Sequence, residues 1–271
     1  MAKLLLAGFG KLARPLSVQL QQQGHQITAL RRSPQTEASS ISQLGIDLSD
    51  KRSVANIPDD FDQVVVTLTP DAYDDANYRK TYIESVDNLL QHFAQRNKET
   101  HFTYVSSTRV YGQKNGEWVD EDSETKPEDS RGQILLEAEQ NLRTYHKKNT
   151  IIRFSGIYDS HSQRLLKQLE KPVPKSPEVY TNRIHREDCV GILSYLVQKK
   201  LADDSIESIY LGSDDDPAPV WDVLSWLAQS RGLPPPTPSS EERNRNKRCD
   251  NRKLKELGYS FKYSNYKKGY S

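Results

Sequence analysis

The stretch Lys3-Leu-Leu-Leu-Ala-Gly8-Phe-Gly10-Lys-Leu-Ala13-Arg-Pro-Leu-Ser-Val-Gln-Leu20 constrains the fold more than any other. An apolar run of strand length ends at Gly8, a second glycine follows at Gly10, a small residue stands at Ala13, and an amphipathic helical pattern begins. This is G-x-G-x-x-A between a buried strand and a helix, the context in which the pattern has a physical meaning. Gly8 permits the tight turn, Gly10 lets a pyrophosphate approach bare backbone, and Ala13 lets the helix pack close to the strand. The helix then presents unpaired N–H groups and its positive dipole end to the phosphates. Gly8, Phe9, Gly10, Lys11, Leu12 and Ala13 are therefore expected to hold a dinucleotide; a purely structural glycine turn explains the flanking strand and helix less well.

The rest of the chain alternates strand and helix. Leu12, Leu16 and Leu20 fall on one helical face between Lys11 and Gln23, Pro15 lies near the first turn where a missing N–H does little harm, and Gly24 stops the helix. Strands are predicted at Gln26–Leu30, at Gly45–Leu48, at Gln63–Thr67, at His101–Val105, at Thr150–Phe154 and at Ser208–Leu211. Helices are predicted from Ala76 to Gln95, Gly132 to His146, Gln163 to Glu170, Cys189 to Lys199 and Pro219 to Arg231. Gln113 to Asp129 is polar, acidic and turn-rich and reads as a loop beside the site. Lys171 to Pro177 is Pro-rich, and Pro234-Pro-Pro236 with the polar run after it reads as a linker or extended loop. This alternation demands an α/β fold with a doubly wound (Rossmann) parallel sheet.

The second strand runs into Arg31-Arg32-Ser33, about 20 residues beyond the glycines, where an acidic residue would bind the adenosine ribose hydroxyls. A carboxylate repels a 2′-phosphate and guanidinium groups grip it, so NADP(H) is preferred over NAD(H) as the expected cofactor; the alternative is a pair of solvated arginines. Asp47, with Leu48 beside it, is placed to bond an adenine amine or to cap the next helix. Thr67, Leu68 and Thr69 should pass the middle of the cofactor.

Composition excludes several classes. Lys plus Arg number 38 against 37 Asp plus Glu, so no global field draws the chain to nucleic acid or to a membrane surface. A mean hydropathy of -0.80 requires the apolar residues to be concentrated in strands and one-sided helices. No run approaches the ~18 apolar residues of a membrane span. Cys189 and Cys249 have no metal-ligand spacing around them, which reads as reduced thiols in a cytoplasmic protein and no metal site.

Several segments, in order, resemble the extended short-chain dehydrogenase/reductases of NAD-dependent epimerase/dehydratase type. They are Gly8 to Ala13, Asp47-Leu48, Val105-Ser106-Ser107-Thr108-Arg-Val-Tyr111-Gly112, Arg153-Phe154-Ser155-Gly-Ile-Tyr158, Arg183-Ile-His185-Arg-Glu-Asp188, and Lys247 to Asn251 followed by Leu254 and Gly258. The resemblance implies an NAD(P)-binding domain at 1–158, with later elements near 180–212 returning to it. It also implies a small substrate-binding domain over most of 159–271, closing on a small polar substrate, often a nucleotide sugar. Ser106, Phe154 and Ser155 are implied on the cofactor, Thr108, Tyr111 and His185 near the substrate, and Ser107 as the serine that hydrogen-bonds the reacting oxygen. Each has a plainer alternative: Ser107 satisfying local backbone, Tyr111 packing, and His185 bonding Asp188 or capping the next helix.

One departure outweighs these matches. Where the family places Tyr-x-x-x-Lys, this chain reads Arg131-Gly132-Gln133-Ile134-Leu135. Arginine stays charged at working pH and cannot serve as a general base, although Arg131 can bind ribose, phosphate or carboxylate. Leu135 cannot lower the pKa of a tyrosine. Tyr82, on the long helix under the nicotinamide, is then a candidate proton carrier or equally a packed core residue. The basic stretch Arg243, Arg245, Lys247, Arg248, Arg252, Lys253 and Lys255 either clamps a diphosphate or is a solvated face. Two readings of the chain stand. One is an epimerase, dehydratase or reductase with a non-standard site. The other is a non-catalytic NADP-binding redox-sensing or regulatory protein. The helices Ala76–Gln95 and Gly132–His146 offer a surface for a homodimer.

Overall fold

A computed structural model describes residues 1–34, 41–96, 99–176, 178–239 and 246–271. Pro177, Arg243 and Arg245, which the sequence reading included in its Pro-rich and basic stretches, lie outside the described residues. Packing divides the chain into two compact units: 1–110, 126–153 and 190–210 form the first, and 111–125, 154–189 and 211–271 the second. The sequence reading drew one main boundary at 158, with elements near 180–212 returning.

The seven sheet strands are β1 (Lys3–Ala7), β2 (Gln26–Arg31), β3 (Ser42–Gly45), β4 (Gln63–Val66), β5 (His101–Ser107), β6 (Asn149–Phe154) and β7 (Ile209–Gly212). Their order is β7-β6-β5-β4-β1-β2-β3, and β1 pairs in parallel with both β2 and β4. Leu4, Leu5, Leu6 and Ala7 are all fully buried, as befits a strand covered on both faces. One core gathers Leu5, Val64, Val66, Phe102, Tyr104 and Ile151 with residues of the helices α4 (Ser85–Arg96) and α5 (Ser130–Tyr145). The chain leaves β1 toward β2 on one side and returns at β4 on the other. Ligands of open α/β sheets bind at such a reversal, outside the carboxyl ends of the strands.

Helix α1 (Ala13–Gln22) follows the glycine turn, with Ala13, Leu16 and Leu20 buried. The third strand ends at Gly45, so Asp47 and Leu48 lie beyond it rather than within it. Asp47 accepts bonds from the Ser49 N–H and hydroxyl, and the cap of helix α2 (Lys51–Val54) is Asp50 instead. The helix expected from Ala76 to Gln95 is interrupted. It comprises α3 (Asp75–Arg79), a π-helical turn Lys80–Glu84, and α4. The Ser85 hydroxyl donates to the Lys80 carbonyl at 2.9 Å, satisfying an oxygen that an ordinary helical turn would pair differently.

In the second unit the acidic segment is not wholly loop, because Glu117–Val119 pairs in parallel with Lys247–Cys249. Gly156–Tyr158 pairs with Arg183–His185, and Tyr158, Tyr266 and Tyr270 pack with Val223 and Leu227 of the helix Val220–Ser230. The helix after Gln163 closes at Leu166, short of the expected Glu170. Cys189 and Cys249 are free and buried. Among the described residues no helix is long and apolar enough to cross a membrane.

Candidate active site

A cavity of about 340 Å³ opens where β1 and β4 end. Gly8, Phe9 and Gly10 line it, together with Arg31, Arg32 and Ser33 after β2, Asp47 and Leu48 after β3, and Thr67, Leu68 and Thr69 after β4. Gly8 has φ +92°, a conformation that favours glycine, and a Cβ there would stand 3.1 Å from Leu68 Cδ2. A Cβ at Gly10 would meet nothing within 4 Å, so that glycine is not required by the protein's own packing. The Thr67 hydroxyl donates to the Gly8 carbonyl at 3.0 Å and ties the two strand ends together.

The two arginines differ. Arg32 grips Asp71 with both terminal nitrogens at 2.6 and 2.5 Å on the exposed rim. Arg31 Nη1 is buried and has no hydrogen-bond partner among the described residues. Asp47 is held below the usual carboxylate range by its bonds from Ser49, despite partial burial. Both bonds fall on Oδ1.

Asp71, Lys80, Thr81 and Ser85 also line this cavity. Sequence reading missed them: Asp71 lies in the loop before α3, and for Lys80, Thr81 and Ser85 the π turn inserts a residue and rotates the helical phase by roughly 100° from an ideal repeat. Lys11, Leu12, Ala13, Ser106, Arg131, Phe154 and Ser155 are not among the lining residues. Lys11 is exposed, Leu12 is half-buried and Ala13 is fully buried at the start of α1. Ser106 is spent internally, donating to Glu139 at 2.6 Å, and Glu139 in turn pairs with buried Arg153 at 2.7 Å. Phe154 and Ser155 are buried, and the Ser155 hydroxyl has no partner among the described residues.

Ser107 ends β5, and its oxygen accepts the Arg109 N–H at 3.2 Å. That is local backbone satisfaction, and it leaves the serine's own proton available. Thr108 is buried in the short turn that follows. Tyr111 is buried and donates to the Asp120 carbonyl at 2.7 Å, so it packs. His185 is buried, with the Tyr263 ring 3.8 Å away centre to centre, and its Nδ1 accepts the Glu187 N–H at the start of the helix Arg186–Leu201. Burial lowers its pKa despite neighbouring carboxylates. Capping, rather than contact with Asp188, is its bonded role; Asp188 accepts instead from Tyr259 and from the N–H groups of Lys262 and Tyr263.

Arg131, in the place of the family tyrosine, pairs with Asp75 at 3.1 Å and lies 4.2 Å from the Tyr73 ring centroid. Leu135 is buried on α5. Tyr82 packs its ring against Tyr78 and the sheet core, and burial pushes its hydroxyl up to about 12. The described members of the basic stretch are engaged locally. Lys247 donates to the Tyr111 carbonyl, Arg248 to Gly116, Lys253 pairs with Asp122 and Lys255 with Asp215.

Comparison with known proteins supplies the family. The model of the RmlD substrate binding domain family matches residues 1–183, more than half of the chain. The chain belongs to this family. It is an epimerase/dehydratase-like member of the extended short-chain dehydrogenase/reductases, in the family of RmlD substrate binding domains. A solved structure from Methylobacillus flagellatus, classed as an NAD-dependent epimerase/dehydratase, is 35% identical; the match covers 99% of this chain and 96% of that one, with a TM-score of 0.84. Protein YeeZ of Escherichia coli K12 is 28% identical over 213 residues, 73% of this chain and 74% of its own length. A UDP-glucuronic acid 4-epimerase from Bacillus cereus, solved with NAD, shares the fold at a TM-score of 0.77 and 20% identity, covering 97% of this chain and 92% of its own.

Proposed function

We propose that the first unit binds a nicotinamide dinucleotide, NADP(H) in preference to NAD(H). The chain would then be an NADP(H)-dependent epimerase, dehydratase or reductase for a small polar substrate of the nucleotide-sugar class. The buried, unpartnered Arg31 nitrogen beside the glycine turn carries this reading. A buried donor nitrogen without a partner is costly, and a bound anion that accepts from it relieves that cost. The residues present fit the cofactor. The glycine turn offers open backbone at Gly10, Thr67 to Thr69 flank the middle of the cavity, and Asp47 has its Oδ2 free of the bonds from Ser49. When bound, the dinucleotide supplies a two-electron hydride acceptor or donor, and Ser107, whose own proton is not spent on the bond from Arg109, would hold the reacting oxygen. The neighbours solved with NAD and UDP-sugars support the substrate class by likeness of fold.

Binding of NADPH and NADH by titration calorimetry tests the cofactor. Each charge-assisted hydrogen bond contributes about 1.5–3 kcal/mol, so Arg31→Ala with Arg32→Ala is expected to cost NADPH roughly 100-fold and NADH little. Equal wild-type affinities for the two dinucleotides would remove the preference. Incubation of the loaded protein with a panel of nucleotide sugars tests the reaction. The buried Leu135 in place of the family lysine favours a second reading, a non-catalytic NADP-binding sensor. Tight cofactor binding with no turnover on that panel would select it.

A further inference from the structure

The loop after β4 carries a tyrosine that the family pattern does not use. Tyr73 stands two residues past Asp71, which lines the cavity, and one residue before Asp74, the N-cap of α3. It is an exposed aromatic, 60% accessible, and its hydroxyl is not left to solvent. Arg109 Nη1 donates to it in a short hydrogen bond, and the Arg109 guanidinium lies 5.7 Å from its ring centroid. Arg131 covers the ring at 4.2 Å. Both guanidinium groups are anchored: Arg109 Nε donates to Asp129 at 2.6 Å, and Arg131 Nε to Asp75 at 3.1 Å. Asp129 also caps α5, so the anchor is part of the fold. Arg109 itself stands two residues past Ser107 in the turn after β5, and its backbone N–H meets the Ser107 oxygen at 3.2 Å.

A phenol between two held guanidinium groups has what the family lysine provides to its tyrosine, namely positive charge that favours the phenolate. Resting on the proposed dinucleotide-dependent reaction, we propose that Tyr73 is the acid–base residue of this site, with Arg109 and Arg131 as positioning residues that replace the missing lysine. In the oxidative direction the phenolate oxygen takes the proton of a substrate hydroxyl held by Ser107. The substrate O–H bond breaks and the phenol O–H forms. The substrate carbon would give up its hydrogen with the bonding pair, as hydride, to an oxidised dinucleotide held in the first unit, which leaves a carbonyl and balances the electrons. Reduction runs the same steps backward, with the Tyr73 proton delivered to oxygen.

The neighbouring groups agree in direction. Partial burial works against ionisation of Tyr73, but a bond from Tyr78 and the charge and hydrogen bonds of Arg109 and Arg131 outweigh it and lower its pKa. Tyr82 and Tyr78 both move upward, chiefly through burial. Of the three tyrosines stacked along this helix start, only Tyr73 is moved toward a working pH. Arg131 therefore serves the missing tyrosine's chemistry by acting on a different tyrosine.

The near-ultraviolet absorbance of tyrosinate, followed against pH on the full chain, reads this without substrate or cofactor. The wild type is expected to show one tyrosine ionising below the rest, because the guanidinium charges beside it favour the phenolate. Tyr73→Phe should remove that step, and Arg131→Gln should move it upward. With a turned-over nucleotide sugar, Tyr73→Phe should lose roughly 100-fold or more in kcat, the usual contribution of general acid–base catalysis, with little change in dinucleotide affinity. If the Tyr73→Phe titration superimposes on wild type in a chain that binds dinucleotide, the assignment of Tyr73 falls and the cofactor reading survives. If the wild type binds neither NADPH nor NADH, the cofactor reading falls and takes the partner of the proton transfer with it.

Discussion

Gly8 and Gly10 look alike in the motif and do different things. Gly8 sits at φ +92° against Leu68, so Gly8→Ala forces a side chain into a left-handed conformation costing roughly 1–2 kcal/mol before any clash. Gly10 has open space where its Cβ would be. Gly10→Ala is therefore expected to leave the urea midpoint near wild type while weakening NADPH, and Gly8→Ala to lower the midpoint itself. A Gly10→Ala chain that binds NADPH as wild type does would show that no phosphate approaches there. The glycine roles were legible in the sequence because spacing alone specifies them. The split between Arg31 and Arg32 was not. It depends on Asp71, a residue on another strand end that only the fold brings to Arg32.

At the scale of elements, the sheet and α5 are tied by a buried ionic group. Glu139 on α5 accepts from Arg153 on β6 at 2.7 Å and from Ser106 on β5, and both charged residues are nearly inaccessible. Breaking such a pair leaves an uncompensated charge, so Glu139→Ala is expected to cost about 3–5 kcal/mol in urea unfolding. Glu139→Leu with Arg153→Met should recover much of that loss; equal damage in single and double variants would mean that packing, not charge, is at stake. His101 begins β5 and bonds Thr150 on β6 through Nε2 at 3.1 Å. Burial, aided by Lys200 and Lys148, lowers its pKa from 6.5 to about 4. Between those values the unfolded chain binds the proton and the folded chain does not. The stability associated with neutral His101 is thus full above pH 6.5 and declines as pH falls toward 4. His101→Gln should flatten this part of the stability profile relative to wild type, as read from urea midpoints across the window. Strand positions were legible from apolar runs. The π turn at Lys80–Glu84 was not, because the run from Asp75 to Arg96 contains no glycine or proline to mark a break in the helical phase.

For the whole molecule, a cavity assembled from strand ends distant in sequence makes a specific demand on ligand binding. NADPH should slow amide exchange at Gly8–Gly10, Arg31–Ser33 and Thr67–Thr69 together, and leave 246–255 unaffected, because the described basic residues there are already paired. Protection at 246–255 would reinstate the basic stretch as a phosphate clamp. The family, the parallel sheet and the glycine turn follow from the sequence alone, since apolar periodicity, glycine spacing and small residues are local instructions that need no tertiary partner. That Arg131 to Leu135 does not read Tyr-x-x-x-Lys is likewise a matter of residue identity. What replaces that pair was decided by tertiary structure. Tyr73, Arg109 and Arg131 lie far apart in sequence within the first unit, and charge acts on a phenol through space rather than along the chain.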